Sequence, residues 1–399
     1  MTPPDASAQT RAAAASNTPV PPLRSAARLD RVRAYVPAPV PPGTRLRLNV
    51  NEGPRPDEAV LDAVRSIDPE ALRRYPSTPA AERAFAQQLG VTPDRVLVTA
   101  GGDDAIDRLC RATLERGTHM VTHSPTFPMI PRAARLADAE VVEVPWLDGP
   151  FPRDAMIAEL GDTTGLCAVV TPNNPTGTQV SSDDLIAVAE ACAARGVVMM
   201  ADLAYVEFSA DDPTPRLLEQ SNVVMIRTLS KAFGLAGLRC GYAVGPPELI
   251  GWLRAVGAPF SVSSVALAVA EHVASGAVDA APFVQRVAAE RAELVPRLER
   301  HGIMTFESAA NFVAFTSGAA RPIEQGLRSE GVLVRAFIEG DGNAGLIRLS
   351  LPGDPQEFAL LRDVIERVLS GMQGKAVATS TPHTSGTGHR ATDRGGAPS

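Results

Sequence analysis

Short apolar runs alternate with amphipathic stretches along most of the chain, and this alternation indicates the fold class. The runs predict strands at Arg95–Thr99, His119–His123, Val141–Val144, Cys167–Thr171, Val197–Ala201, Val223–Arg227 and Arg239–Val244. Several of them are apolar at every position, which is typical of strands buried on both faces of a mainly parallel sheet. Helices are predicted between them at Asp103–Leu114, Met129–Leu136 and Ser182–Ala194, the last capped by Ser181 or Ser182. The pattern predicts an α/β fold with helices on both faces of the sheet.

The pattern changes after about Ser261, where long helical stretches precede strands at Asn311–Phe315, Val332–Phe337 and Leu346–Leu351 and a closing helix near Gln356–Leu369. This block predicts a smaller α+β domain. We therefore divide the chain into a disordered extension (1–34), an N-terminal arm with a proline-rich stretch (35–50), a large domain (51–260), a small C-terminal domain (261–372) and a disordered tail (373–399). A transit peptide is the alternative for the extension.

The composition of the chain argues against several classes of function. The formal charge is −7, so no overall positive field favours nucleic acid or an anionic membrane, and no apolar stretch approaches the length of a membrane span. The cysteines Cys110, Cys167, Cys192 and Cys240 form no CxxC pair, which indicates reduced thiols in a cytoplasmic protein. The six histidines show no spacing that suggests a metal site.

Lysine is almost absent from the chain. Only Lys231 and Lys375 occur, all other basic residues are arginine, and Lys375 belongs to the predicted tail. Lysine can lose its proton when desolvated and attack a carbonyl, whereas arginine stays protonated. Lys231 is therefore a candidate nucleophile; the alternative is an ordinary surface lysine.

Four segments with reactive or charged side chains lie beside predicted strands, three of them after a strand and the fourth before one. They are Thr171-Pro-Asn-Asn-Pro-Thr-Gly177, Asp202-Leu-Ala-Tyr205, Thr228-Leu-Ser-Lys231 and Gly237-Leu-Arg239. In open α/β sheets, ligands bind at the carboxyl ends of the strands. An acid, a phenol, a lysine and an arginine together match the pyridine nitrogen, phenolate oxygen, carbonyl and phosphate of pyridoxal 5′-phosphate (PLP).

The order and spacing of TPNNPTG, ADLAYVEF, RTLSKAFGLAGLRCGY and LIRLSLPG resemble the class I and II aminotransferases of PLP fold type I, and most of all the histidinol-phosphate aminotransferases. The resemblance runs from about Tyr35 to Leu369. It implies that Lys231 holds PLP covalently and then moves the substrate's α-proton. It also implies that Asp202 pairs with the ring nitrogen, and that Asn174 and Tyr205 donate hydrogen bonds to the phenolate oxygen. The alternatives are a helix cap for Asp202, a turn residue for Asn174 and core packing for Tyr205.

The resemblance implies further contacts to PLP. Ser230 and Arg239 would hold the phosphate together with the backbone N–H groups of Gly102 and Asp103, where a helix begins. Phe127 would stack on the ring, and Tyr75 would reach the phosphate of the other subunit of a homodimer.

The substrate residues follow from the same resemblance. Arg348 would bind the substrate carboxylate with both ends of its guanidinium, although an exposed strand position is the alternative. Arg335 would bind a second anion, and Tyr35 and Asn51 would close the pocket. This chain departs from the family at Leu203, usually Glu; at Phe127, usually Tyr; and at Ala336-Phe337, where the family has a polar loop.

The resemblance implies amino transfer between an amine or amino acid, with histidinol phosphate the best candidate, and a 2-oxo acid such as 2-oxoglutarate. Another PLP reaction, such as decarboxylation of a phospho-amino acid, remains an alternative because relatives with that activity share most of these motifs. A non-catalytic PLP-fold sensor is disfavoured, because the segment before Tyr35 is too short and proline-rich for a DNA-binding module.

Overall fold

A computed structural model describes residues 25–36, 39–338 and 345–378. The strands are β1 (Leu46–Leu48), β2 (Val96–Thr99), β3 (His119–Ser124), β4 (Glu140–Pro145), β5 (Thr164–Val170), β6 (Val198–Asp202), β7 (Val223–Thr228), β8 (Gly241–Val244), β9 (Phe312–Thr316), β10 (Val332–Phe337) and β11 (Leu346–Ser350). The helices are α1 (Glu58–Arg65), α2 (Pro69–Arg73), α3 (Pro79–Leu89), α4 (Gly102–Thr113), α5 (Met129–Leu136), α6 (Arg153–Ala158), α7 (Ser182–Ala193), α8 (Thr214–Leu217), α9 (Pro247–Val256), α10 (Ser264–Ala274), α11 (Ala281–Arg300), α12 (Ala320–Ser329) and α13 (Pro355–Ala378).

Seven strands form the larger sheet in the order β2-β8-β7-β6-β5-β3-β4, and only β8 runs antiparallel to its neighbours. Side chains of both faces are buried in separate apolar clusters, so the central strands are apolar at nearly every position. The α/β fold with a mainly parallel sheet is confirmed, and so are the predicted strands, with shifts of a few residues at their ends. Ser181, one of the two predicted caps, accepts a hydrogen bond from the Asp184 backbone N–H at 3.1 Å.

Four strands form the smaller sheet in the order β1-β10-β11-β9. β1, which the pattern of the sequence did not predict, pairs in parallel with β10, so that Leu46 lies opposite Val332. The remaining pairs are antiparallel. The apolar cluster of this sheet also includes Tyr205, Phe208 and Ala232, which belong to turns that follow strands of the larger sheet. The two sheets are therefore packed together at the ends of β6 and β7.

The apolar clusters give the boundary between the two cores. Residues from Val262 to Val278, including most of α10, pack in the cluster of the larger sheet, and Phe283 is the first residue of α11 in the other cluster. The change from one apolar core to the other therefore falls between Val278 and Phe283, beyond the predicted domain boundary at residue 261. Helix α13 continues to Ala378, six residues into the segment that was assigned to the tail. Residues 1–24, 37–38 and 379–399, which hold most of the predicted extension, part of the proline-rich stretch and the rest of the tail, lie outside the described residues.

All four cysteines are buried and free, in agreement with the expectation of reduced thiols. Within the described residues, no helix combines the length and the apolar character that a membrane span requires.

Gly177, in the loop after β5, lies against the segment that precedes β9. Its carbonyl accepts a hydrogen bond from the Ala309 N–H at 2.9 Å, and a Cβ built on it would overlap the Ser308 side chain. Its φ of +86° is a conformation that glycine adopts without a steric penalty. This contact joins the loop that carries Asn174 to the smaller sheet.

We expect Gly177→Ala to lower the free energy of unfolding more than Gly196→Ala does. Both glycines have positive φ, but the space around Gly196 is open, so the second variant carries only the backbone cost. Steric overlap with Ser308 should lower the free energy of unfolding of Gly177→Ala by a further amount of about 1–3 kcal/mol. Urea unfolding of the two variants measures the difference, and equal losses would mean that the contact with Ser308 adjusts freely.

Candidate active site

Three neighbouring strands of the larger sheet end beside one another and carry the candidate residues. Asp202 is the last residue of β6, Asn174 lies in the loop after β5, and Lys231 lies in the turn after β7. The backbone continues the pairing beyond the strands, since the Thr171 N–H donates to Asp202 and the Leu203 N–H donates to Ile226. The parallel order of these strands therefore brings the acid, the amide and the lysine to one edge of the sheet.

The Lys231 side chain contacts the segment that follows β1. Its Nζ is 3.4 Å from the Val50 carbonyl oxygen, 3.3 Å from the Asn51 carbonyl oxygen and 5.7 Å from the centre of the Tyr205 ring. The segment can approach so closely because residue 53 is glycine, and a Cβ on Gly53 would overlap the Lys231 carbonyl. Strand β1 thus brings the N-terminal part of the chain onto the only lysine of the predicted folded body.

Asp202 is 4% exposed, and Oδ1 accepts a hydrogen bond from the Ala204 N–H at 3.1 Å. Burial raises the pKa of its carboxyl to about 7; the Ala204 N–H and the Lys231 charge oppose the shift, and the Asp103 charge adds to it. A cation placed against Asp202 would restore the carboxylate. A protonated pyridine ring is such a cation.

Tyr205 and Asn174 each have their acceptor atom engaged by the protein. The Tyr205 hydroxyl oxygen accepts from Asn51 Nδ2 at 2.9 Å, and Asn174 Oδ1 accepts from Arg348 Nη1 at 2.5 Å. The hydroxyl hydrogen of Tyr205 and the amide hydrogens of Asn174 therefore remain as donors. Two donors beside Lys231 fit an anionic oxygen such as the PLP phenolate.

Donors also surround the predicted phosphate site. Helix α4 begins at Gly102 with free backbone N–H groups, and Ser230 Oγ accepts from Thr228 Oγ1 at 3.0 Å, which leaves its own hydroxyl hydrogen to donate. The Arg239 guanidinium packs against Gly101, where a Cβ would lie 2.9 Å from Nη2. The donor set fits a phosphate.

Phe127 is half-buried in the loop between β3 and α5. This loop is held by the Pro125 carbonyl, which accepts hydrogen bonds from His123 Nδ1 and Asn173 Nδ2, both at 3.1 Å. His123 Nε2 accepts from the Val170 N–H at 3.1 Å, and complete burial lowers the pKa of His123 to about 4, so the ring is neutral. His123 and Asn173 were missed from the sequence because their role depends on contacts between β3 and β5.

Arg348 and Arg335 lie directly opposite each other on β11 and β10. Arg348 is 7% exposed, its Nη2 donates to the Asn49 carbonyl at 2.8 Å, and its Nε is buried without a partner. Burial lowers the pKa of Arg348 to about 10, and the Arg335 charge acts in the same direction. Among the described residues, no carboxylate forms an ion pair with either guanidinium. Like charges directly opposite each other on two strands are destabilising, so this pair favours binding of an anion.

Three predicted site residues have other surroundings. Asn51 is buried with a φ of +55°, and its amide bonds to Tyr205 and Ser350, so it supports the Tyr205 hydroxyl from the N-terminal side. Tyr35 is 57% exposed but close enough to influence the pKa of Arg348. Tyr75 is 81% exposed and stacks on Phe260 with 4.6 Å between ring centres, so within one chain it is not brought to the phosphate site.

Comparison with known proteins finds relatives in both sequence and structure. Residues 42–365 match the family model for aminotransferase class I and II. The chain is 33% identical over 349 residues to histidinol-phosphate aminotransferase 1 of Nostoc sp., a match that covers 85% of this chain and 97% of the relative. It is 35% identical over 356 residues to an aromatic amino acid aminotransferase of Corynebacterium jeikeium, with 86% and 93% covered. The solved structure of histidinol-phosphate aminotransferase from Sinorhizobium meliloti in complex with pyridoxal 5′-phosphate superposes with a TM-score of 0.75 at 25% identity, covering 82% of this chain and 92% of that one.

We expect the stability of the cofactor-free protein to fall between about pH 4 and pH 7 because of Asp202. Its pKa is raised from 3.8 to about 7 in the folded state, so the folded state binds the proton more tightly, and stability is lost as the pH rises. The slope for one proton is at most about 1.4 kcal/mol per pH unit. Asp202→Asn removes the carboxyl group and with it this loss of stability at higher pH.

Denaturant unfolding at pH 5 and pH 8 measures this effect. The free energy of unfolding of Asp202→Asn, relative to that of the wild type, should be higher at pH 8 than at pH 5. Asp107→Asn, which removes an exposed carboxylate from α4, serves as the control. Parallel pH profiles for Asp202→Asn and the wild type would contradict the raised pKa.

Proposed function

The chain belongs to the class I and II aminotransferases, and from this premise we propose that it moves an amino group between histidinol phosphate and a 2-oxo acid such as 2-oxoglutarate. The enzyme is a PLP-dependent aminotransferase. The observation that carries the choice of substrate is the pair Arg335 and Arg348, two opposed guanidiniums with no carboxylate paired to them among the described residues. Histidinol phosphate and 2-oxoglutarate each carry an anionic group away from the reacting carbon.

An aromatic amino acid is the second candidate for the amino donor. The Phe337 ring, which is only partly buried, lies 5.2 Å from the Arg335 guanidinium, where the resemblance implies a polar loop. This ring offers an apolar surface beside the two charges. An aromatic side chain would pack on this surface while Arg348 binds its carboxylate.

We assign the cofactor contacts to the residues named above. When bound, PLP supplies a carbonyl that exchanges amino groups and a protonated ring that draws electrons from the substrate's Cα. Asp202 would hold the ring proton, and Asn174 and Tyr205 would donate to the phenolate oxygen. Ser230, Arg239 and the N–H groups of Gly102 and Asp103 would bind the phosphate, and Phe127 would lie against the ring.

Lys231 would act as the base that moves the α-proton. Its amine lies beside the Tyr205 ring, under two backbone carbonyls that accept hydrogen bonds but carry no charge. The segment from Asn51 to Gly53 covers it and limits the access of water.

We further propose that the enzyme is a cytoplasmic homodimer that binds no nucleic acid. Tyr75, Phe260 and Leu72 expose 81%, 56% and 65% of their surface, an unusual degree for large apolar side chains. A second copy that covered them would bring Tyr75 to the phosphate of the neighbouring site, as the family resemblance implies. The four buried, free cysteines suit a reducing compartment.

We expect Lys231→Ala to fold, to lack the visible absorption band of lysine-bound cofactor, and to have no measurable turnover. Lys375→Ala, which removes the only other lysine, should keep both. Borohydride reduction of the wild type followed by peptide mapping should place the pyridoxyl group on Lys231. A label on Lys375, or none at all, would refute the assignment.

For the substrate, we expect Arg335→Ala to lower kcat/KM for histidinol phosphate by about 10- to 100-fold, the effect of one lost charge-assisted hydrogen bond. The loss with phenylalanine should be less than about threefold. Arg328→Ala removes an exposed arginine of α12 and is the matched control.

The wild-type enzyme itself distinguishes the candidate reactions. Conversion of phenylalanine and not of histidinol phosphate would establish the second candidate, and release of carbon dioxide instead of a 2-oxo product would identify a decarboxylase.

A further inference from the structure

The proposed phosphate site contains a carboxylate. Asp103 is the second residue of α4, and its Oδ2 accepts a hydrogen bond from Arg239 Nη2 at 3.1 Å. Both side chains are about half exposed, so a phosphate that arrives from solvent can reach the pair. The acid therefore occupies a guanidinium nitrogen that the phosphate would use.

Arg239 does not need Asp103 to keep its position. Its backbone is left-handed, with a φ of +52°, directly after the short 3-10 helix Ala236–Leu238. Nη1 donates to the Ala236 carbonyl at 3.2 Å, and the guanidinium packs on Gly101. These two contacts hold the arginine in place without Asp103. The bond to Asp103 therefore places a competing anion at the guanidinium and is not needed to support the side chain.

The charge of Asp103 acts at both ends of the cofactor site. At one end it lies beside the position of a phosphate that carries up to two negative charges, and it shares the helix N-terminus that would stabilise them. At the other end it contributes to the raised pKa of Asp202, which disfavours the carboxylate that a protonated ring requires. Both effects oppose binding of the cofactor.

We propose that the Asp103 carboxylate competes with the phosphate of PLP for Arg239 and so sets how readily the cofactor is exchanged. The inference rests on the phosphate site proposed above and adds to it a residue that weakens binding. In the cofactor-free protein, Asp103 neutralises Arg239. When PLP binds, the guanidinium passes from the carboxylate to the phosphate.

The test is the affinity of the cofactor-free enzyme for PLP, together with the rate at which PLP leaves the holoenzyme. Asp103→Asn should bind PLP about three- to tenfold more tightly and release it more slowly, the scale of one screened charge interaction near a surface. Asp107→Asn is the matched control, because Asp107 lies one turn further along α4 in a similarly exposed ion pair with Arg111. Unchanged or weaker binding by Asp103→Asn would overturn the inference.

A second measurement tests whether the effect passes through Arg239. In an Arg239→Ala background, the gain from Asp103→Asn should fall to half or less, because no guanidinium remains to compete for. A gain of undiminished size would refute the competition. If Arg239→Ala alone leaves the affinity for PLP unchanged, the phosphate site itself is wrong. If that variant loses affinity as expected and Asp103→Asn gains none, only the role of Asp103 fails.

Discussion

The hydrogen bond from Arg348 Nη1 to Asn174 Oδ1 joins the two sheets within the candidate active site. Both side chains are buried, so neither can exchange this partner for water, and an unpaired guanidinium there would carry a large desolvation cost. The bond determines the orientation of the Asn174 amide and therefore which of its atoms would face the cofactor. It also places the proposed carboxylate site at Arg348 next to the proposed phenolate site at Asn174, so a ligand bound at one site would affect binding at the other.

The same arrangement recurs around the site. Asn174, Tyr205 and Ser230 each accept a hydrogen bond from a protein group, and each keeps a hydrogen to donate. The ligand side is therefore rich in donors, and the main acceptor is the buried Asp202. A ligand with several anionic oxygens and one cationic nitrogen complements such a surface. The fit comes from groups that are oriented before the ligand arrives, which reduces the ordering cost of binding.

Most of the larger sheet could be predicted because several of its strands are continuous apolar runs and each strand has only four to seven residues. Lys231, Asp202 and Asn174 could be placed together because loops at the carboxyl ends of neighbouring parallel strands meet. Arg239 precedes the antiparallel β8, whose first residue lies opposite the last residue of β7, and so it lies at the same edge. Strand β1 was missed because Leu46-Arg47-Leu48 is short and its central residue is charged. The role of Asn51 could not be predicted, because its left-handed backbone turns the side chain toward Tyr205. His123 and Asn173 depend on a carbonyl, Pro125, that no side-chain pattern reveals.

Strand β1 has a consequence for how the protein is made. Its partner strand β10 and the Arg348 side chain that bonds to Asn49 lie near the other end of the chain, with a separation of 299 residues in the case of Arg348. During synthesis, the N-terminal strand leaves the ribosome long before its partners exist, so its pairing groups stay open until translation is nearly complete. The larger sheet, whose strands all lie between residues 96 and 244, has no such dependence and can form earlier. The segment that covers Lys231 therefore takes its final position last, and a truncated nascent chain would contain the lysine without this segment held over it.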